Sequence, residues 1–159
     1  MSEPSERTFI PTDHERVPLN EQSIREIWSK TYNTDGKPDW SHIYPYYHPD
    51  IVFHDTIQRL EGMTDFTAMC DRLATRCEQL HFDIHDMAQN GHIIFMQWTM
   101  TMEFRKTPMT PMHGCTKLTL HEDGRILEQR DYYDIWGDIF AGVPGMKSLY
   151  PSFMRKVFG

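Results

Sequence analysis

No stretch of this sequence stays apolar for the roughly twenty residues that a bilayer-crossing helix needs, and its N-terminus is charged and polar, unlike a secretory leader. Those two absences predict a soluble, cytoplasmic protein with no membrane partner. Basic clusters are missing as well. Nothing longer than Arg105-Lys106 or Arg155-Lys156 interrupts a formal net charge of -7, which argues against a nucleic-acid partner. Cysteine is scarce. Cys70, Cys77 and Cys115 are odd in number, fit no zinc spacing and read as buried reduced thiols. The fold must then rest on an apolar core, which a chain of 159 residues is long enough to build.

What the sequence does hold is 11 methionines and an aromatic content of 13%, which favour a roomy, adaptable apolar interior or an apolar interface. Residues 1–18 are rich in Pro, Glu, Ser and Thr without a period and predict a flexible tail, in which Phe9 and Ile10 alone are able to dock. A single domain is predicted over 19–139. Asn20 suits a helix cap, and Ile24, Ile27, Trp28 and Tyr32 form one stripe. Asp39 suits a second cap ahead of Trp40, Ile43, Tyr44 and Tyr47, with His48-Pro49-Asp50 as the stop. Residues 51–57 read as a strand. Thr64 then caps a helix whose stripe is Phe66, Met69, Cys70, Leu73 and Cys77, with Arg72 and Arg76 off it.

Four strand signals follow: 80–87, an Asn90-Gly91 turn, 92–104, a Pro-bearing loop at 106–111, 112–121, and a turn at Glu122-Asp123-Gly124 into the last. Helices first and strands after predict an α+β domain, with helices covering one face of a curved, mostly antiparallel sheet. In the extension 140–159, the residues Leu149, Phe153, Met154, Val157 and Phe158 suit a short helix that closes a pocket mouth or reaches a partner.

The last strand signal, 124–136, reads Gly-Arg-Ile-Leu-Glu-Gln-Arg-Asp-Tyr-Tyr-Asp-Ile-Trp. Alternation puts Leu127, Gln129, Asp131, Tyr133 and Ile135 on one face and Ile126, Glu128, Arg130, Tyr132, Asp134 and Trp136 on the other. A carboxylate between Tyr and Ile on a half-buried strand is costly unless it has a partner or a task, which singles out Asp131 and Asp134. Arg130 and Asp134, on the opposite face, read as a salt-bridging pair.

The element order, the Pro-Asp-Ile-Val-Phe-His-Asp strand and above all the Arg-Asp-Tyr-Tyr-Asp run at 130–134 resemble the nuclear-transport-factor-2-like superfamily, in particular its SnoaL-like and limonene-epoxide-hydrolase-like branches. The resemblance implies a cystatin-like cone: a curved sheet wrapped by the N-terminal helices around a deep apolar pocket, usually in a dimer built on the outer sheet face. It also implies roles. Asp131 matches the carboxylate with which epoxide hydrolases of this fold activate water, and Asp55 falls where the related ketosteroid isomerases keep a general base. The matches depart elsewhere. Those hydrolases carry Tyr and Asn on the first strand, where this chain has Phe53 and Asp55. They carry Arg and Asp on the middle strand, where an ungapped count lands on Gln97 and Thr99. The isomerases' helix Tyr and protonated acid fall near Trp28 and Thr116.

That alignment predicts a pocket lined by Trp28, Tyr32, Phe53, Gln97, Thr99, His113 and Tyr133 around Asp131 and Asp55. It turns the other face of 92–104, with Met96, Trp98, Met100 and Met102, outward, where so large an apolar row calls for a homodimer. The plain alternative is that this row is the core beneath the helices. His81, Asp83 and His85 share a face but alternate as a solvated face does, so no metal is expected. No cofactor is implied. Three readings stay open: a cofactor-independent isomerase, cyclase or hydrolase of a small apolar oxygenated molecule; a non-catalytic module that binds a small apolar ligand; and a dimerising accessory protein.

Overall fold

The computed structural model describes residues 16–105, 107–139, 145 and 148–158; Phe9 and Ile10 lie outside them. Helix α1 (Glu21–Tyr32) begins where Asn20 and Ser23 cap each other. The Asn20 side chain accepts the Ser23 N–H at 3.1 Å, and Ser23 Oγ accepts the Asn20 N–H at 2.9 Å. Such a cap contributes about 1 kcal/mol. The stripe Ile24, Ile27, Trp28 and Tyr32 is buried, as its spacing predicts.

The next segment is not the helix expected. Asp39 caps it through the Ser41 N–H, but it consists of two 3-10 turns, Trp40–His42 and Tyr44–Tyr46. Pro45 has no N–H for a continuing helix and divides the segment. Strand β1 (Tyr47–His54) starts at once, so His48-Pro49-Asp50 lies inside a strand, where the pairing is irregular between Tyr47 and Val52 and tolerates a proline.

After β2 (Arg59–Glu61), helix α2 (Met63–Arg76) takes Gly62, and not Thr64, as its N-cap. Its end at Arg76 leaves Cys77 to open β3 (Cys77–Asn90). Strands β4 (Ile93–Phe104), β5 (Thr107–Leu120) and β6 (Ile126–Tyr133) complete a six-stranded sheet of order β2-β1-β6-β5-β4-β3, antiparallel except between β1 and β6. The hairpin turns fall where the dipeptides place them, with Gly91 at φ 57° and Gly124 at φ 83°, conformations that favour glycine. The loop expected at 106–111 is corrected. Residues from Thr107 already pair with β4, while pairing with β6 begins only at Gly114. The early part of β5 is thus a sheet edge, where prolines fit.

A π-helical turn (Ile135–Ile139) follows β6, and α3 (Leu149–Phe158) closes the chain, with Tyr150 stacked on Trp136 at 5.5 Å. Among the described residues, none of α3 lines the cavity described below. Arg130 lies over the Tyr132 ring at 5.1 Å, and Asp134 accepts the N–H groups of Trp136 and Gly137. Arg130 and Asp134 therefore serve separate neighbours and do not form the pair expected of them.

The α+β architecture is as predicted: a curved, unclosed sheet with α1 against β3 and α2 against β1. The facing of β4 is not. Ile94, Met96 and Trp98 are buried, whereas Phe95 is 44% exposed and Gln97 is exposed. The apolar row points into the cone. The reason is hydrophobic: each of these side chains contributes roughly 2 kcal/mol by burial, and a one-residue slip in facing would forfeit all of them. Met96, Trp98, Met100 and Met102 are consequently not an outward surface, and the case for a homodimer through them falls with that.

Candidate active site

The bend of the sheet under α1 and α2 encloses a cavity of about 410 Å³, within the roughly 300–1,000 Å³ typical of small-molecule sites. Its walls are mostly aromatic and Met side chains. Trp28 and Tyr32 come from α1, Trp40 from the first 3-10 turn, Phe66 and Met69 from α2, Tyr47 and Phe53 from β1, and Trp98 from β4. Strand β6 adds Gln129, Asp131 and Tyr133, alternate residues on one face.

Two side-chain relays hold Asp131. Trp98 Nε1 donates to Thr116 Oγ1 at 2.8 Å, and Thr116 Oγ1 donates to Asp131 Oδ1 at 2.6 Å. From the other side, the Tyr47 hydroxyl donates to Gln129 Oε1 at 2.5 Å, which turns the Gln129 amide so that Nε2 donates to both Asp131 oxygens at 3.1 Å. A carboxylate offers about four acceptor sites. Among the described residues Oδ1 accepts two hydrogen bonds and Oδ2 one, which leaves acceptor capacity on Oδ2.

Asp131 is half-buried in the cavity wall, and the protein packed around it governs its charge. Burial pushes its carboxyl up to about 6, against the pull of the Thr116 and Gln129 hydrogen bonds and with help from the negative charge of Asp55.

Asp55 is buried at the end of β1 and differently engaged. Oδ1 accepts the N–H groups of Ile57 and Gln58, both at 2.8 Å, which closes the turn into β2. Oδ2 accepts the Tyr133 hydroxyl at 3.0 Å. The Tyr32 hydroxyl accepts the Trp40 indole N–H at 3.3 Å, and its own proton meets no acceptor among the described residues. Burial raises its pKa, as does the charge of Asp131, so it remains a neutral donor.

A model of the SnoaL-like domain matches residues 28–129 of this chain, most of the cone and all of its cavity walls up to Gln129. The chain belongs to the SnoaL-like domain family. Solved structures agree on the fold. An M. tuberculosis LEH-like epoxide hydrolase superposes with a TM-score of 0.62 at 18% identity, covering 86% of this chain and 93% of its own. A protein with a ketosteroid isomerase-like fold from Catenulispora acidiphila, in complex with trimethylamine, gives 0.62 at 15% identity, covering 78% and 95%. A protein assigned as a SnoaL-like polyketide cyclase, from Shewanella denitrificans, gives 0.58 at 21% identity, covering 71% and 89%. No curated protein matches the sequence significantly. Among the described residues no helix is long and apolar enough to cross a membrane.

Within this SnoaL-like domain, Trp28, Tyr32, Phe53, Asp55, Asp131 and Tyr133 line the cavity. Gln97, Thr99 and His113 do not. Thr99 Oγ1 lies 2.7 Å from His85 Nε2 on the outer face, and His113 sits at the surface, its N–H donating to Asp138 Oδ2 at 2.7 Å. The error for Gln97 and Thr99 is one of parity: the ungapped count put the wrong face of β4 inward. Thr116, Gln129, Trp98 and Tyr47, which hold Asp131, were not foreseen as site residues. Gln129 was legible, two residues before Asp131 on the same face. Tyr47 and Trp98 were not, because their partners come from other strands.

Proposed function

We propose that this SnoaL-like protein is a cofactor-independent acid/base enzyme, an isomerase, cyclase or hydrolase, acting on a small, largely apolar, oxygenated molecule. The observation that supports it is Asp131, a carboxyl in the wall of an apolar cavity with acceptor capacity left on Oδ2, whose burial brings its pKa near neutrality. A general base performs best when its pKa lies close to the working pH. Asp131 takes a proton from an activated C–H or from a water, and the Tyr32 hydroxyl donates to the substrate oxygen on which charge develops. Asp55 orients Tyr133, and its negative charge adds to the burial that raises the Asp131 pKa.

The test is turnover of a panel of apolar epoxides, enones and polyketide-like β-dicarbonyls by the full-length protein and by Asp131→Asn. The expected result is at least one substrate whose rate rises with pH through about 6 and falls about a hundredfold or more in the variant. A substrate turned over equally by both proteins refutes the assignment of Asp131. The non-catalytic alternative predicts ligand binding by both proteins with no conversion by either.

A further inference from the structure

The cavity wall is charged at two places. One is the Asp131 and Asp55 end. The other consists of Arg72 and Arg76, one turn apart on α2, which the sequence pattern puts off the buried stripe but whose side chains line the cavity. Both are exposed, so they stand at the rim. Among the described residues neither meets a carboxylate, in a chain whose formal net charge is -7. The usual duty of basic residues here is to satisfy the last carbonyls of the helix. Lys37 already does this: its Nζ donates to the carbonyls of Ala74, Thr75 and Cys77 at 3.1, 3.0 and 3.0 Å.

The register sets these two charged ends apart. Cys77, which follows Arg76, pairs with Phe104 at the end of β4. Asp131 pairs with Thr116, and Thr116 with Met96, near the start of β4. Trp98, Met100, Met102 and Phe104 line the apolar wall between.

We propose that the ligand of this cavity is an elongated apolar molecule with an anionic group at one end, which Arg72 and Arg76 hold at the rim while the other end meets Asp131. The reverse orientation would set an anion against Asp131 and Asp55, and like charges at close range in a poorly solvated site repel strongly. The shared chemistry is an anionic head, carboxylate or phosphate. The proposal relies on the acid/base reading only for naming which end reacts.

The experiment loads full-length protein at about pH 7.5 with the neutral dye N-phenyl-1-naphthylamine and displaces it with decanoate, decyl phosphate, decan-1-ol or decylamine. The two anions are expected to displace the dye at about three- to tenfold lower concentration than the alcohol, an advantage that shrinks in high salt; the stronger of the two identifies the head group. R72Q/R76Q, altered only at exposed positions, should keep the dye and lose the advantage, and R72E/R76E should turn it toward decylamine. An alcohol that competes as well as the anions, an anion preference that survives in R72Q/R76Q, or a dye that none of the four displaces would each overturn the proposal. Asp131→Asn should retain the anion preference, so failure of the catalytic reading and failure of this one register in different assays.

Discussion

Asp131 should make the stability of this protein depend on pH in a direction opposite to that of most carboxylates. Its pKa is raised in the folded state, from an ordinary value of 3.8 to about 6, chiefly because burial penalises the charged form. The folded protein therefore holds that proton more tightly than the unfolded chain does. The stability it contributes is fully present below the unfolded value and is lost as pH rises through the folded one. A shift of about two units corresponds to about 3 kcal/mol in all, of which roughly two-thirds disappears between about pH 4.5 and about pH 7.5.

Asp131→Asn removes the ionisation but leaves an amide in its place. One of its new donors must face Gln129 Nε2, which now donates to both carboxylate oxygens, and that conflict costs about 1–3 kcal/mol at every pH. The offset is constant while the ionisation penalty is not. Urea unfolding at several pH values should show the variant gaining about 2 kcal/mol on the parent from about pH 4.5 to about pH 7.5, whatever their order at the acid end. Two stability profiles that run parallel across that range would show that Asp131 does not carry a raised pKa, and would remove the physical basis of its assignment as a base.

Gly114→Ala should cost about 1–3 kcal/mol by overpacking, because a Cβ there would lie 2.3 Å from the Trp98 ring; an unchanged Tm and unchanged tryptophan fluorescence would contradict this. Thr116→Val should raise the Asp131 pKa above about 6, since the hydroxyl now stabilises the charged form, and should cost about 1–3 kcal/mol by orphaning the Trp98 N–H. Its check is the midpoint of the pH–rate or pH–stability profile, and a midpoint that moves down refutes the relay. Lys37→Met should destabilise by about 1–2 kcal/mol through loss of its three carbonyl contacts at the end of α2, measured by urea unfolding; no change would mean that water replaces Lys37 at no cost.

The fold was legible where a single physical cause dominates. The Asn20 cap, the α1 stripe and the two Gly turns depend on local chemistry, and each stands where the sequence puts it. Boundaries failed where pairing with another strand decides. Nothing local in 106–111 tells a proline-bearing loop from a strand paired on one side only, and β1 starts before His48-Pro49-Asp50 because Tyr47 already pairs with Ile126 of β6. The facing of β4 was also legible. Its alternation already put Ile94, Met96, Trp98 and Met102 on one side, the side that water would penalise. Counting along a resemblance with no allowance for gaps reversed that answer, and with it came Gln97, Thr99 and the outward apolar row.

The site was half legible for a related reason. Asp131 stands out in sequence because a carboxylate between apolar neighbours on a strand has to be explained, but what explains it comes from four strands: Tyr47 on β1, Trp98 on β4, Thr116 on β5 and Gln129 on β6. Each of the two donors that reach Asp131 is itself fixed by a buried aromatic side chain, an indole N–H on one side and a phenol on the other. The aromatic richness that composition displays is therefore more than filling. It supplies the walls that desolvate the carboxylate and raise its pKa, and also the polar atoms that keep it oriented while desolvated. Tyr47→Phe, which removes only the hydroxyl that fixes Gln129 and keeps the ring in the cavity wall, should therefore loosen the orientation of Asp131 and shift the midpoint of its pH–stability profile while the cavity keeps its shape.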